Sequence, residues 1–263
     1  MRYTRRDWLR FSLGLGAGSL LQMSMPGSWL RQASARRPQL SSQPQAGHEV
    51  AELFAAMEAD ELEAKFIPKD VKEARLILTN KTPRPMSVQL PDAFAGVPVL
   101  AQFDDDFGGG GGGGGSQSGG GGFDDGGGGG GFFSLPPEKT MDIKVGMVCL
   151  EHGKKDPRPA VPYEIKPIET FTQDENLIEL LRMYATGRIS YSIAQATAWH
   201  FSDGMSWQEL AAKTIKRLNG FHEPYFNPQE IRLAMQLAHV AKQRAEERKN
   251  HLPEEAPAPY LYR

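Results

Sequence analysis

The chain has 263 residues, with 30 Lys and Arg against 32 Asp and Glu, a formal net charge of −2, and a single cysteine. That balance provides no basic footprint for nucleic acid, and one cysteine excludes an internal disulfide. The length suits one sizeable domain or two small ones.

The first residues, MRYTRRDWLR, set Arg5 and Arg6 ahead of Trp8 and Leu9, and a weakly apolar run rich in Gly and Ser follows from Phe11 to Met25. That order reads as an export signal. The run is too short and too glycine-rich to span a membrane, which takes about 20 mainly apolar residues, so no transmembrane segment is expected in the mature chain. Thr4 to Arg10 resembles the twin-arginine signal by which bacteria export folded proteins, and Arg31 ahead of a cleavage site after Ala35 fits that route. A general secretory signal that happens to contain two arginines leads to the same place, periplasmic or extracellular. In an oxidising compartment Cys149 is buried and inert, paired between chains, or chemically used.

Residues 36–47, rich in Pro, Gln and Ser without periodicity, read as a disordered spacer. Val50, Leu53, Phe54 and Met57 recur on one helical face, which predicts a short helix over 48–58. Strands are predicted at Glu63–Ile67, Ala74–Thr79, Met86–Leu90, Val97–Phe103, Thr140–Leu150 and Tyr163–Ile168, with 80–85 as a turn. Without helices between them, about six such strands favour a small antiparallel β-sandwich, or an open barrel, over a doubly wound sheet. Residues 104–133 interrupt them with glycine runs at 108–115, 119–122 and 126–131, predicted to be a disordered loop. Asp104–Asp106 and Asp124–Asp125 within it are consecutive, not alternating as calcium ligands in a defined turn would be.

Residues 170–252 read as helices, making the fold α+β with a C-terminal helical bundle. Thr172 to Glu175 and Ser206 to Glu209 form capping boxes, the second opening a helix predicted to run to Asn219–Gly220. A helix is predicted from Ser190 to Ser202. The last starts at Asn227–Pro228, with Ile231, Ala234, Met235, Ala238 and Ala241 inward and a charged end, 242–250, projecting into solvent. Residues 253–263 read as a loose tail.

The segments IPKDVKEARLILTNKTPRPMSVQLPDAFAGVPVLAQF, FFSLPPEK, VCLEHGKKDPRPAVPYEIKPIE and AQATAWHFSDGMSWQELAAK resemble an uncharacterised family of exported bacterial proteins. The resemblance implies that the glycine run is an insertion in a shared scaffold and that the Cys149 and Trp199 segments form one unit. It brings no activity, cofactor or partner.

Cys149 and His152 have the C-x-x-H spacing of half a metal site, but His48, His200, His222, His239 and His251 supply no paired spacing to complete it. A cupredoxin-like copper site fails as well, since no histidine lies between His48 and His152 and GKKDPRP after His152 offers no methionine. No metal or cofactor is expected. Gly-x-Ser-x-Gly, His-Glu-x-x-His and phosphate-loop motifs are absent, and a Cys149–His152 nucleophile pair, three apart on a strand, would point to opposite faces. The run from Ala194 to Trp199 resembles the T-Q-x-A-I-W segment of bacterial thioester domains, with Gln195 and Trp199 in register and Ala194 and Thr197 departing from it. That resemblance implies an acyl bond between Gln195 and Cys149. The alternative is a helix-packing role for Gln195 and Trp199 with Cys149 a small core residue. The expectation is therefore an exported, non-catalytic binding or structural protein with a macromolecular partner at the envelope and candidate contacts at His152, Trp199 and His200, or else a covalent attachment protein using Cys149 and Gln195.

Overall fold

A computed structural model describes residues 41–99, 116–123, 131–218 and 220–251. Arg5, Arg6 and Ala35 of the expected signal, the Asp104–Asp106 and Asp124–Asp125 clusters and the tail from 253 lie outside the described residues. The chain is α+β. Its strands run β1 (Glu49–Glu52), then, after a short helix α1 (Leu53–Glu58), β2 (Leu62–Pro68), β3 (Glu73–Asn80), β4 (Met86–Gln89), β5 (Phe94–Pro98), β6 (Gly119–Phe123), β7 (Phe132–Leu135), β8 (Thr140–Cys149) and β9 (Tyr163–Pro167).

In place of the expected sandwich, six strands close into a barrel in the order β2-β3-β8-β6-β5-β9, every neighbouring pair antiparallel. Closure leaves no barrel strand at a sheet edge, although the end of β8 outruns β3. A separate three-stranded sheet, β1-β4-β7, has β1 parallel to β4. Both share one core: Phe66, Leu76, Leu78, Phe94, Val145 and Met147 from the barrel pack with Val88, Phe133 and Leu135 from the sheet and Leu53 from α1.

Three further expectations about the strand half of the chain are corrected. Residues 41–47 of the supposed spacer are held in place, since Ser41 exchanges both backbone hydrogen bonds with Phe132 and Gln45 N donates to Ser87 Oγ at 3.0 Å. The helix predicted over 48–58 starts only at Leu53, because Val50 is in the parallel strand and half exposed.

The third correction concerns the glycines. Gly119–Phe123 is a barrel strand, pairing Gly119–Phe123 with Cys149–Val145 on one side and Gly119–Gly121 with Gly96–Phe94 on the other. What selects glycine at 120 and 122 is the helix above them. A Cβ at Gly120 would lie 2.7 Å from Leu181 Cδ1, and one at Gly122 only 2.1 Å from Ala185 Cβ. The helix can seat on the sheet only where the strand carries no side chains.

That helix is α3 (Glu175–Ala185), preceded by one turn, α2 (Ile168–Phe171), and followed by α4 (Tyr191–Ser202), α5 (Trp207–Ala212) and α6 (Pro228–His251). Helices α3, α4 and α6 pack on one another, burying Leu177, Ile178, Leu181, Ala194, Ala198, Leu237 and Ala241 with Val148 and Leu150 of the barrel. The cap of α3 is Asp174, which accepts from Asn176 N at 2.9 Å, and not Thr172. Helix α5 ends at Ala212, well short of Gly220, and the chain turns into a hairpin of β10 (Thr214–Lys216) and β11 (His222–Pro224), where Gly220 (φ +78°) serves the turn. On α6 Met235 is exposed and Leu237 takes the inward position. Its charged end does not simply project: Ala245 is buried and Arg248 Nε donates to Glu179 Oε2 at 3.1 Å.

The Ser206 capping box is formed as its sequence implies, with Glu209 N donating to Ser206 Oγ at 3.2 Å and Ser206 N to Glu209 Oε2 at 2.8 Å. Ser206→Ala is expected to destabilise the protein by about 1 kcal/mol, a fall of about 2–4 °C in a melting curve for a domain of this size. An unchanged curve would mean α5 contributes nothing to global stability.

Candidate functional site

At the end of β8 one side of the strand loses its neighbour. The β3 pairing stops at Glu73 opposite Gly146, and Met147 N still reaches Lys72 O at 2.9 Å, but Cys149, next on that side, has no strand to bond. Gln195 of α4 takes the vacant place. Its Oε1 accepts from Cys149 N at 2.8 Å and its Nε2 donates to Cys149 O at 2.8 Å. A side-chain amide thus copies the bonding of a missing strand residue, which satisfies two buried backbone groups. Cys149 and Gln195 are 1% and 0% exposed.

The Cys149 side chain leaves the barrel core that holds Ile143, Val145 and Met147 and joins a cluster with Ala196, Trp199, Leu210, Phe226, Ile231 and Ala234. Its Sγ lies 4.0 Å from Val71 O, in the β2–β3 turn. Burial pushes the thiol pKa up to about 12, with the charges of Asp156 and Asp70 adding to it. Burial likewise raises the Tyr191 and Tyr225 phenols, both of which feel Cys149. If the thiol is free, its reaction with a disulfide reagent in the folded protein at pH 8 is expected to be at least about a thousandfold slower than that of an unfolded cysteine, because the thiolate is the nucleophile and it is almost unpopulated at pH 8. Reaction kinetics before and after denaturation check this.

Four segments converge above the same cluster. His152 and Trp199 meet edge to face with ring centroids 4.8 Å apart, and Trp199 and Tyr225 at 5.5 Å. Lys213 Nζ lies 5.1 Å from the Trp199 centroid and 5.3 Å from that of Tyr225, and donates to His152 Nε2 at 2.7 Å. Burial lowers the Lys213 pKa, and burial together with Lys213 lowers that of His152, whose imidazole is neutral and accepts. His152 N also donates to Asp203 Oδ1 at 2.9 Å, fixing the loop after β8 to the end of α4.

Of the residues singled out in the sequence, Cys149, Gln195, Trp199 and His152 come together. His200 does not: its Nδ1 pairs with Met205 O at 2.8 Å and its ring stacks on Trp207 at 4.1 Å. Sequence reading missed Val71, Tyr191, Lys213 and Tyr225, which carry no motif and reach the site only through the β2–β3 turn, the start of α4 and the ends of α5 and β11. Among the described residues no group of three or more His, Cys, Asp or Glu is arranged to hold a metal, and no helix is long and apolar enough to cross a membrane. No protein-family model, curated protein or solved structure matches the chain. The resemblances to an exported family and to thioester domains therefore rest on the residues quoted for them.

Proposed function

We propose that this chain is an exported binding protein of the envelope or extracellular space, and that it holds its partner through an acyl bond made from Cys149 and Gln195. The observation that carries this reading is the direct contact of those two buried residues, 46 positions apart, through both atoms of the Gln195 amide. In the proposed reaction Sγ attacks Gln195 Cδ, the Sγ–Cδ bond forms and the Cδ–Nε2 bond breaks. Nε2 departs as ammonia, taking the thiol proton. Cys149 N–H already donates to Oε1, the oxygen on which charge develops, so it serves as a preorganised donor for that step. Burial excludes water and slows hydrolysis of the product. An amine of the partner then attacks Cδ, the Cδ–Sγ bond breaks, a new amide forms and the proton returns to sulfur.

A second reading is favoured by the same amide. Both of its polar atoms are satisfied by the Cys149 backbone while Sγ faces Val71 O, so Gln195 would be a structural bracket in a non-covalent binding or structural protein. Counting thiols in denaturant separates the two. The acyl-bonded chain shows none until an amine is added, whereas the bracketed chain shows one throughout. Export itself is tested by N-terminal sequencing of the mature form, expected to begin at Arg36.

A further inference from the structure

The aromatic cluster beside Cys149 holds a cation, Lys213, on which the charge of Asp156 acts but which no carboxylate contacts among the described residues. Lys213 is half-buried, and among the described residues no carboxylate comes within ion-pair distance of its Nζ, whose hydrogen-bond partner is the neutral imidazole of His152. Removing an ammonium from water without a paired charge is unfavourable, and contact with the faces of Trp199 and Tyr225 offsets only part of that. A second deficit lies alongside it. Trp199 is 4% exposed, and its indole N–H, which can only donate, has no acceptor among the described residues. Buried donors are nearly always satisfied, and one left unmade costs about 1–3 kcal/mol.

Both deficits call for the same thing, an oxygen acceptor carrying negative charge. We propose that Lys213 and Trp199 form a subsite for a carboxylate group, one oxygen taking Lys213 Nζ and the other the Trp199 indole N–H, between the rings of His152 and Tyr225. Lys213 lies over the indole, so entry of the ligand moves its ammonium off His152 and onto the carboxylate. Asp156, whose charge acts on Lys213, and Asp203, bonded to the His152 backbone, are negative neighbours that oppose a doubly charged phosphate more than a singly charged carboxylate. The subsite does not depend on the acyl bond and would exist in either reading of Cys149 and Gln195.

The test is a titration of the full mature protein followed by the Trp199 indole N–H resonance, identified by its loss in Trp199→Phe. N-acetylalanine stands for a peptide C-terminus and glucuronate for an acidic sugar, with sodium chloride at equal ionic strength as the reference. The expected result is a saturable shift with both carboxylates that chloride does not reproduce, weakened at least tenfold in Lys213→Met and unchanged in Lys216→Met. The tighter of the two probes identifies the source of the group. A resonance that does not move, or moves equally with chloride, overturns the subsite, and so does wild-type affinity in Lys213→Met. Should Lys213→Met fail to fold, the chloride comparison in the wild-type protein still decides.

Discussion

Gly122→Ala is expected to destabilise the protein by about 3 kcal/mol and to lower its melting temperature by roughly 6–12 °C. The added Cβ would sit 2.1 Å from Ala185 Cβ and 2.5 Å from Ala185 Cα, and a helix backbone cannot step aside as a side chain can. Gly119→Ala is the internal control. Its Cβ would meet Met147 Cε at 2.2 Å, the free end of a flexible side chain, so the loss should be nearer 1 kcal/mol. Were these glycines a loop, both substitutions would be neutral or slightly stabilising, because alanine reduces the entropy of the unfolded chain by about 0.4–1 kcal/mol. The sign of the Gly122→Ala effect therefore separates a barrel strand from a tether, and equal effects at 119 and 122 would contradict the seating of α3 on β6.

This strand is also where sequence reading failed most fully. Strands β3 and β8 were legible because Leu76 and Leu78, and Ile143, Val145 and Met147, alternate toward one core. Gly119 to Gly122 have no side chains to alternate, and what requires glycine there belongs to distant residues: Leu181 and Ala185, about 60 residues later in the chain, for Gly120 and Gly122, and Met147 and Phe94 for Gly119 and Gly121. Strand β1 was hidden for the opposite reason: Val50 fits the helical spacing of Leu53, Phe54 and Met57, yet it pairs in parallel with Ser87. The Ser206 cap was read correctly, but its far end was not, because Gly220 marks a hairpin turn as readily as a helix end. Barrel closure depends on pairings such as Phe66 with Tyr163 that no local pattern encodes.

In the chain whose Gln195 amide is intact, Gln195→Ala should be the more damaging of the two substitutions at the candidate site, by about 2–5 kcal/mol. It leaves the buried N–H and C=O of Cys149 without partners, at a point where β3 has already diverged and no water has access. Cys149→Ala keeps both of those bonds and removes only the sulfur, so its loss should be near 1–2 kcal/mol on the scale of small core truncations, roughly half or less of the first. Equilibrium denaturation of both variants checks the order. A Cys149→Ala loss as large as that of Gln195→Ala would show that the backbone bracket contributes little. The pairing of residues 149 and 195 was legible as a motif. What the motif could not convey is that the amide meets the backbone of Cys149, since that depends on where β3 stops.

The most direct measurement is the intact mass of the purified protein before and after mild treatment with methylamine. A mass short by one ammonia, which rises by one methylamine on treatment and is full from the start in Cys149→Ala, is the result predicted for an acyl bond between Cys149 and Gln195. A full mass that methylamine leaves unchanged would contradict it and leave Gln195 as a bracket holding the end of β8 to α4.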